Sequence, residues 1–312
     1  MELDCTRRLA IVAIAAAGAM TAWQSARADW REQVPVFRIG ILGGQLVELQ
    51  LKDHACLKAR TQQALGVPVE LFASRDYSGL TEGLLAGRLD TAGLGAAGYA
   101  SIYLQDPDAV EPIVTVEEQD GTLGYRSVLL VRADSPYQTL DDLRGRTLAF
   151  TERLSTSGFL IPYYELSQRG YEPDRFFGRL AFTGGHPQAV TAVLNREADA
   201  GVTWTSAIGD QATGYSRGNL RRMVDLGALN MNDLRILWTS ALIPADPQVV
   251  RKDLPQEAKD LYRDLLLDLA DRDRRCFERM VGGAARDFKP INHEAYGNII
   301  AIRRKGENGP RS

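Results

Sequence analysis

The feature that most constrains the fold of this chain is a regular alternation of strand-like and helix-like segments. Short apolar runs alternate with segments of helical character, and this order predicts an α/β fold with mostly parallel sheets. In such sheets ligands bind beyond the carboxyl ends of the strands. The first segments are predicted as strands at Val36–Leu42, Val67–Ala73 and Thr91–Gly95, and as helices at Leu51–Leu65 and Leu80–Ala86.

One supersecondary unit occurs twice in the sequence. The stretch Leu85–Gly93 resembles Leu194–Val202, because each has a helix end, a tight turn, an aspartate and a strand of small residues. Chance similarity is the alternative, since the turn chemistry is generic. About 280 residues follow the N-terminal leader described below, a length that favours two lobes over one. Two strand-like segments, Tyr125–Val131 and Leu234–Ile243, are suited to connect the lobes.

The N-terminus predicts export. Arg7 and Arg8 precede an apolar run, Leu9–Ala22, that is too short to span a bilayer. The small-x-small sequence Ala26–Ala28 follows, so a signal peptide of residues 1–28 is expected, cleaved after Ala28 to give a periplasmic protein.

The cysteines and the charge fit an exported globular protein. Cys5 lies in the leader, and the even pair that remains, Cys56 and Cys276, favours one disulfide in an oxidising compartment, with two unrelated thiols as the alternative. A net charge of −3 offers no basic stripe, so no nucleic-acid partner is expected. The polar tail 303–312 is expected to be disordered.

A cluster of hydroxyls in the middle of the chain is a candidate anion site. Ser155, Thr156, Ser157 and Gly158 follow a predicted buried strand, Thr147–Thr151, and open a predicted helix that ends near Gly170. Free N–H groups and the helix dipole favour an anion at this point. The alternative is an ordinary helix cap in which a single serine serves the helix.

Several short motifs, in order and spacing, resemble the periplasmic phosphate/phosphite/phosphonate-binding proteins of ABC importers. The resemblance extends from Phe37 to Ala301. Its most specific motifs are Ser155–Gly158 with Pro162, and His186 at the start of a helix that leads to Ala198–Gly201. The other matching stretches are Asp76–Tyr77, Ala86–Asp90, Gly95–Tyr99, Ser127–Arg132, Leu140–Gly145, Ser240–Pro247 and Phe288–Tyr296.

The resemblance implies the type 2 periplasmic-binding fold, with two mixed sheets flanked by helices and a two-strand hinge. Lobe 1 would comprise residues 29–129 and 238–302, and lobe 2 residues 130–237. Both cysteines would then lie in lobe 1, which suits a Cys56–Cys276 bridge.

The resemblance also implies a set of ligand-binding residues. The family's serine/threonine cluster and helix-start histidine hold the oxyanion, two tyrosines close over it, and a carboxylate lies nearby. The matching residues are Ser155, Thr156, Ser157, His186, Tyr77, Tyr125 and Asp246. From the residues alone the alternatives stay open: His186 precedes Pro187 in a good helix start, the tyrosines suit a core, and Asp246 suits a turn before Pro247.

The sequence departs from the aminoalkylphosphonate-binding pattern at one position. Those relatives place a glutamate, which pairs with the ligand's amine, where this chain has Ser206 in the stretch Val202–Ala207. Trp204 in the same stretch would make the pocket smaller or more apolar. A small oxyanion such as phosphite, phosphate or methylphosphonate is therefore favoured over an amine-bearing ligand.

The function implied is that of an extracytoplasmic solute-binding protein for a small phosphorus oxyanion. Its expected partners are that ligand and an ABC permease in the inner membrane, with no cofactor or metal and with the protein acting as a monomer. The alternative is an oxyanion sensor that presents its ligand to a membrane histidine kinase. An enzyme is not expected, because the chain has no Gly-x-Ser-x-Gly elbow and no His-Glu-x-x-His spacing.

Overall fold

The computed structural model describes residues 29–42 and 47–307, so the predicted signal peptide, its cleavage site and Cys5 lie outside the described residues. The strands are β1 Phe37–Leu42, β2 Val69–Ser74, β3 Thr91–Gly93, β4 Val110–Glu117, β5 Gly124–Arg132, β6 Thr147–Phe150, β7 Arg179–Phe182, β8 Ala200–Thr205, β9 Leu234–Thr239, β10 Ile243–Pro244, β11 Pro247–Arg251 and β12 Asp287–Pro290. The helices are α1 Trp30–Gln33, α2 Val47–Asp53, α3 Ala55–Leu65, α4 Tyr77–Leu85, α5 Ala96–Gln105, α6 Ile161–Gln168, α7 Pro173–Phe176, α8 His186–Leu194, α9 Asn219–Asp225, α10 Gln256–Arg272, α11 Arg274–Val281 and α12 Gly297–Glu307.

The strands form two mixed sheets, which confirms the predicted fold class. The first sheet has the order β12-β4-β11-β3-β1-β2, with β1, β2 and β3 parallel. The second has the order β10-β5-β8-β6-β7, with β9 also paired to β5 and with β6, β7 and β8 parallel. Each sheet thus contains a parallel part, and the helix that follows a parallel strand begins at its carboxyl end.

The repeated sequence unit has the same structure in both sheets. Asp90 accepts a hydrogen bond from the Arg38 N–H at 2.7 Å, and Asp199 accepts one from the Thr147 N–H at 2.8 Å. Each aspartate therefore ties the turn after a helix, α4 or α8, to the first part of a neighbouring parallel strand. The similarity between the stretches Leu85–Gly93 and Leu194–Val202 therefore reflects a shared supersecondary unit.

The chain crosses between the sheets at two places. Residues 118–123 lead from β4 to β5, and residues 245–246 lead from β10 to β11. The two crossings touch, because the Ala245 N–H donates to the Leu123 carbonyl at 3.2 Å. The two segments predicted as connectors form β5 and β9, which pair with each other in the second sheet. The lobe boundaries at 129/130 and 237/238 stay a prediction.

A disulfide joins α3 to α11 on the first sheet, which confirms the predicted pairing. Cys56 and Cys276 are bonded, with their Cα atoms 5.9 Å apart. Cys276 is fully buried in the apolar cluster that also contains Phe37 and Leu57. The bridge therefore ties an early helix to a late one within a single core.

Two predicted segments differ from the structure. The single helix expected at Leu51–Leu65 is divided into α2 and α3 at His54, where the ring Nδ1 bonds the Gln50 carbonyl at 2.8 Å beside the backbone N–H of the same histidine. The tail expected to be disordered from residue 303 continues α12 to Glu307. Arg304 and Lys305 stabilise this end, because cations suit a helix C-terminus. None of the described helices is long and apolar enough to cross a membrane.

Candidate functional site

A cavity of about 370 Å³ lies between the two sheets, where several strands present their carboxyl ends. It is lined by residues of β1, by residues that follow β3, β6 and β7, and by the first residues of α8. This is where an α/β fold presents free N–H groups to a ligand. All seven residues proposed from the sequence line this cavity: Tyr77, Tyr125, Ser155, Thr156, Ser157, His186 and Asp246.

The Ser155–Gly158 segment, here called the serine turn, begins a π-helical turn that continues into α6. The Ser155 hydroxyl caps this turn by accepting a hydrogen bond from the Gly158 N–H at 3.0 Å. A side chain at Gly158 would clash, because its Cβ would lie 1.8 Å from the Thr151 hydroxyl. The capping alternative therefore holds for the oxygen of Ser155, and the Tyr77 hydroxyl lies within hydrogen-bonding reach of its proton.

Thr156 joins the serine turn to the first sheet. Its hydroxyl oxygen accepts a hydrogen bond from the Ala97 N–H, at the start of α5, at 2.8 Å. The approach requires a small residue at position 95, since a Cβ on Gly95 would lie 3.1 Å from that oxygen. Thr156 is 1% exposed, so this contact across the cleft is sealed from solvent.

His186 is a neutral imidazole at the start of α8. Burial lowers the pKa of His186 to about 4. Its Nδ1 lies 3.3 Å from the Thr203 hydroxyl and its Nε2 lies 3.4 Å from the Ser155 hydroxyl. Asn219 donates to the Thr203 oxygen at 3.0 Å, so we assign the Thr203 proton to Nδ1. The ring's own proton is then on Nε2, on the side of the serine turn.

Asp246 lines the same cavity and accepts two hydrogen bonds there. The Tyr125 hydroxyl donates to it at 2.9 Å and the Ala96 N–H at 3.3 Å. Burial raises the pKa of Asp246 to about 6, and these two bonds oppose that shift. Burial, followed by the charge of Asp246, also raises the pKa of Tyr125, which stays protonated as a donor.

A second carboxylate, Glu152, was not predicted from the sequence. Its Oε2 accepts a hydrogen bond from the Tyr77 N–H at 3.2 Å, at the start of α4. Burial raises the pKa of Glu152. The available signal was its position directly after the predicted strand Thr147–Thr151, at the edge where ligands bind.

Trp204 forms one wall of the cavity, whereas Ser206 does not line it. The Trp204 ring packs edge-on against Tyr125, with centroids 5.4 Å apart, and the Arg217 guanidinium lies 4.9 Å from its centroid. Arg217 is itself held by a buried ion pair with Glu118. The Ser206 hydroxyl bonds that of Ser216 at 2.9 Å.

The carboxyl of Asp246 predicts a pH-dependent stability. Its raised pKa favours the folded state below pH about 4, and this contribution is lost as the pH rises through about 6. Asp246→Asn keeps an acceptor for Tyr125 and cannot ionise. We expect the ligand-free variant to be more stable than the wild type by about 1–2 kcal/mol at pH 8, a value reduced for the carboxyl's access to cleft water, and equally stable at pH 4. Urea denaturation at both pH values measures this; an equal difference at both would contradict it.

Sequence comparisons identify related proteins. The family model described as the periplasmic substrate-binding protein of a phosphonate ABC transporter matches residues 50–296. The phosphonates-binding periplasmic protein of Escherichia coli (strain K12) is 29% identical over 66% of this chain, and the match spans 58% of that relative, less than two thirds of its length. The phosphate-import protein PhnD of Mycolicibacterium smegmatis is 26% identical over 80% of this chain and 76% of its own length.

Structural comparison supports the same fold. PhnD1 of Prochlorococcus marinus (MIT 9301), solved with methylphosphonate, superposes with a TM-score of 0.73 over 88% of this chain and 99% of that chain, at 21% identity. The match to a sensor is much shorter: the tetrathionate sensor histidine kinase TtrS of Salmonella typhimurium is 38% identical over 72 residues, which are 23% of this chain and 12% of that protein.

Proposed function

We propose that this chain, which belongs to the family of periplasmic substrate-binding proteins of phosphonate ABC transporters, captures a small phosphorus oxyanion in its cleft for uptake. Phosphite, phosphate and alkylphosphonates are the ligands considered. The observation that carries the proposal is the convergence of the serine turn, His186 and the Tyr125–Asp246 pair on one cavity between the sheets.

The cavity offers donors suited to several phosphoryl oxygens. The first N–H groups of a helix have no partner within it, and α8 begins without a side-chain cap. Those N–H groups, the hydroxyls of the serine turn and the Nε2–H of His186 bind an anion without a cationic side chain at that point. Asp246 accepts the proton of a protonated oxygen, which favours a ligand that retains a P–OH group.

The two-lobed organisation proposed above places this site between the lobes. Residues 29–129 and 238–302 would form one lobe and residues 130–237 the other. The Ala97–Thr156 contact fits a closed arrangement, because it links the start of α5 to the serine turn. The protein would act as a periplasmic monomer after cleavage at Ala28, without catalysis, and would deliver its ligand to an inner-membrane permease.

A thermal-shift screen of the mature protein tests the proposal. The compounds are phosphite, phosphate, methylphosphonate, aminoethylphosphonate, sulfate and arsenite. A ligand that binds only the folded state stabilises it by RT ln(1 + [L]/Kd), so a phosphorus oxyanion should raise the melting temperature and sulfate should not. If no phosphorus oxyanion raised the melting temperature, the proposal would be contradicted.

Methylphosphonate is expected to bind about ten-fold more tightly than aminoethylphosphonate. Trp204 forms the cavity wall near position 206, where relatives have a glutamate, and Ser206 itself is outside the cavity, so an ammonium group lacks a carboxylate at that position. Asp246 and Glu152, the carboxylates that do line the cavity, already accept hydrogen bonds from Tyr125 and from the Tyr77 N–H. Burying an unpaired charged group costs more than about 1.4 kcal/mol, which is ten-fold in affinity. Calorimetry with both ligands measures the ratio.

Asp246→Asn is the matched variant for this comparison. If Asp246 pairs the amine, the variant loses affinity for aminoethylphosphonate far more than for methylphosphonate, and the wild type prefers the amine. That pair of results would contradict the expected order of affinities.

The sensor role is the second candidate, and the short match to the tetrathionate sensor kinase is the observation that favours it. Neighbouring genes separate the two roles. Permease and ATPase genes indicate import, whereas a histidine kinase gene indicates sensing.

A further inference from the structure

We propose that Arg222 forms a second subsite of the cleft, which binds the anionic end of a substituted phosphonate such as a phosphonocarboxylate. The inference rests on the proposed function, because it concerns the same cavity. It narrows the ligand class from small phosphorus oxyanions to phosphonates that carry a second anionic group.

Arg222 lies one helical turn from the residues that hold His186. Asn219, at the start of α9, bonds the Thr203 hydroxyl that contacts the His186 ring. Residues three apart on a helix are neighbours on its surface, so Arg222 extends the same wall outward. Arg222, Asn219 and His186 all line the cavity.

The guanidinium of Arg222 has donors that the protein leaves unused. Its Nη2 donates to Asp53 at 2.5 Å, in an ion pair that links α9 to α2. Its Nε is buried and has no partner among the described residues. Among the described residues the guanidinium is engaged only through Nη2, so its Nη1 is left to donate a charge-assisted bond to an anion in the cavity.

Arg217, another arginine that lines the cavity, is by contrast fully engaged. Its guanidinium binds Glu118 through two nitrogens and donates to the Val281 carbonyl at 3.2 Å. Its face covers the Trp204 ring. Arg217 therefore supports the wall. Arg279 also lines the cavity but is exposed, so Arg222 is the less solvated of the two remaining cations and the one on the wall of Asn219.

The cavity has room for a ligand that reaches Arg222. Its volume of about 370 Å³ corresponds to about a dozen water molecules at about 30 Å³ each, well above what phosphite or methylphosphonate fills. Gln50 and His54 line the cavity on the α2 side. His54 bonds the Gln50 carbonyl through Nδ1, and burial lowers the pKa of its ring, so it adds no competing positive charge.

The test compares alkylphosphonates with phosphonocarboxylates of matched length by calorimetry. Ethylphosphonate is matched to phosphonoacetate, and propylphosphonate to phosphonopropionate. The wild type should bind at least one carboxylate ligand about ten-fold more tightly than its uncharged partner, the effect of one hydrogen bond to a charged group. Arg222→Gln should bring that ratio close to one.

Two variants control for charge and for the ion pair. Arg221→Gln removes the same charge from the next residue of α9, which pairs with Asp225 and does not line this cavity, so the ratio should persist. Asp53→Asn breaks the link to α2 but keeps Arg222, so the ratio should persist or rise.

Two results would overturn the subsite. One is a wild type that binds methylphosphonate but prefers no carboxylate ligand. The other is an Arg222→Gln variant that loses affinity for both ligand types by the same factor, since Arg222 would then act only through Asp53. Failure of the proposed function is distinct, because the wild type would then bind no phosphorus oxyanion at all.

Discussion

Ser157→Ala is expected to weaken binding of the phosphorus oxyanion by about ten- to a hundred-fold with little change in stability. A hydrogen bond to a charged group contributes about 1.5–3 kcal/mol, and each 1.4 kcal/mol is ten-fold in affinity. Ser157 is the cleanest position of the serine turn. Its backbone carbonyl accepts from the Ser127 hydroxyl at 2.7 Å, a bond that the variant keeps, and among the described residues its own hydroxyl contacts only the hydroxyl of Tyr125 at the cavity wall.

The neighbouring hydroxyls serve as matched controls. Ser155→Ala removes the cap on the Gly158 N–H and should also destabilise the fold by about 1 kcal/mol. Thr156→Ala removes the bond to the Ala97 N–H and should weaken the contact between the serine turn and α5. Calorimetry and urea denaturation of the three variants separate binding from stability.

The same calorimetry tests whether His186 binds the ligand as a neutral donor or as a cation. Burial lowers its pKa to about 4, so the ring is neutral at pH 7 and donates through Nε2. His186→Ala should therefore weaken binding about as much as Ser157→Ala. The ratio of the wild-type affinity to the variant affinity should stay constant between pH 6 and 8, because the ring does not titrate in that range. If the affinity were unchanged in both the Ser157 and His186 variants, the serine turn would not be the binding site, and the proposed oxyanion site would be contradicted.

The parts of this fold that local patterns determine were predictable. The strand and helix alternation identified the fold class, because period and turn residues are local properties of the chain. The repeated aspartate turn identified the shared unit, in which Asp90 and Asp199 make equivalent bonds. The division of Leu51–Leu65 at His54 was missed, since propensity alone gives no reason for the break.

The candidate site was partly predictable for the same reason. Hydroxyls and a histidine at helix starts are visible in the sequence, and the structure brings them to one cavity. Glu152 and Arg222 were missed because their partners, Tyr77 and Asp53, lie far away in the chain.

Removal of the disulfide should have the largest effect on stability. Cys56→Ala with Cys276→Ala is expected to lower the free energy of unfolding by about 2–5 kcal/mol, because the bridge closes a loop of 220 residues and so restricts the unfolded chain. Urea denaturation of the variant and of the wild type, each with and without reductant, measures this. The reduced wild type should match the double variant.

Ligand affinity provides the decisive second measurement on the disulfide variant. The bridge lies in the core of the first sheet, but α11 continues from Cys276 towards residues 279–282, which line the cavity beside α2, with which α11 is in contact. Well below its melting temperature the folded variant should keep its affinity for methylphosphonate within about two-fold, because the α3–α11 core still holds this wall by apolar packing. An unchanged urea midpoint would show that the bridge constrains little. A large loss of affinity with unchanged stability would instead assign the bridge to positioning the cavity wall.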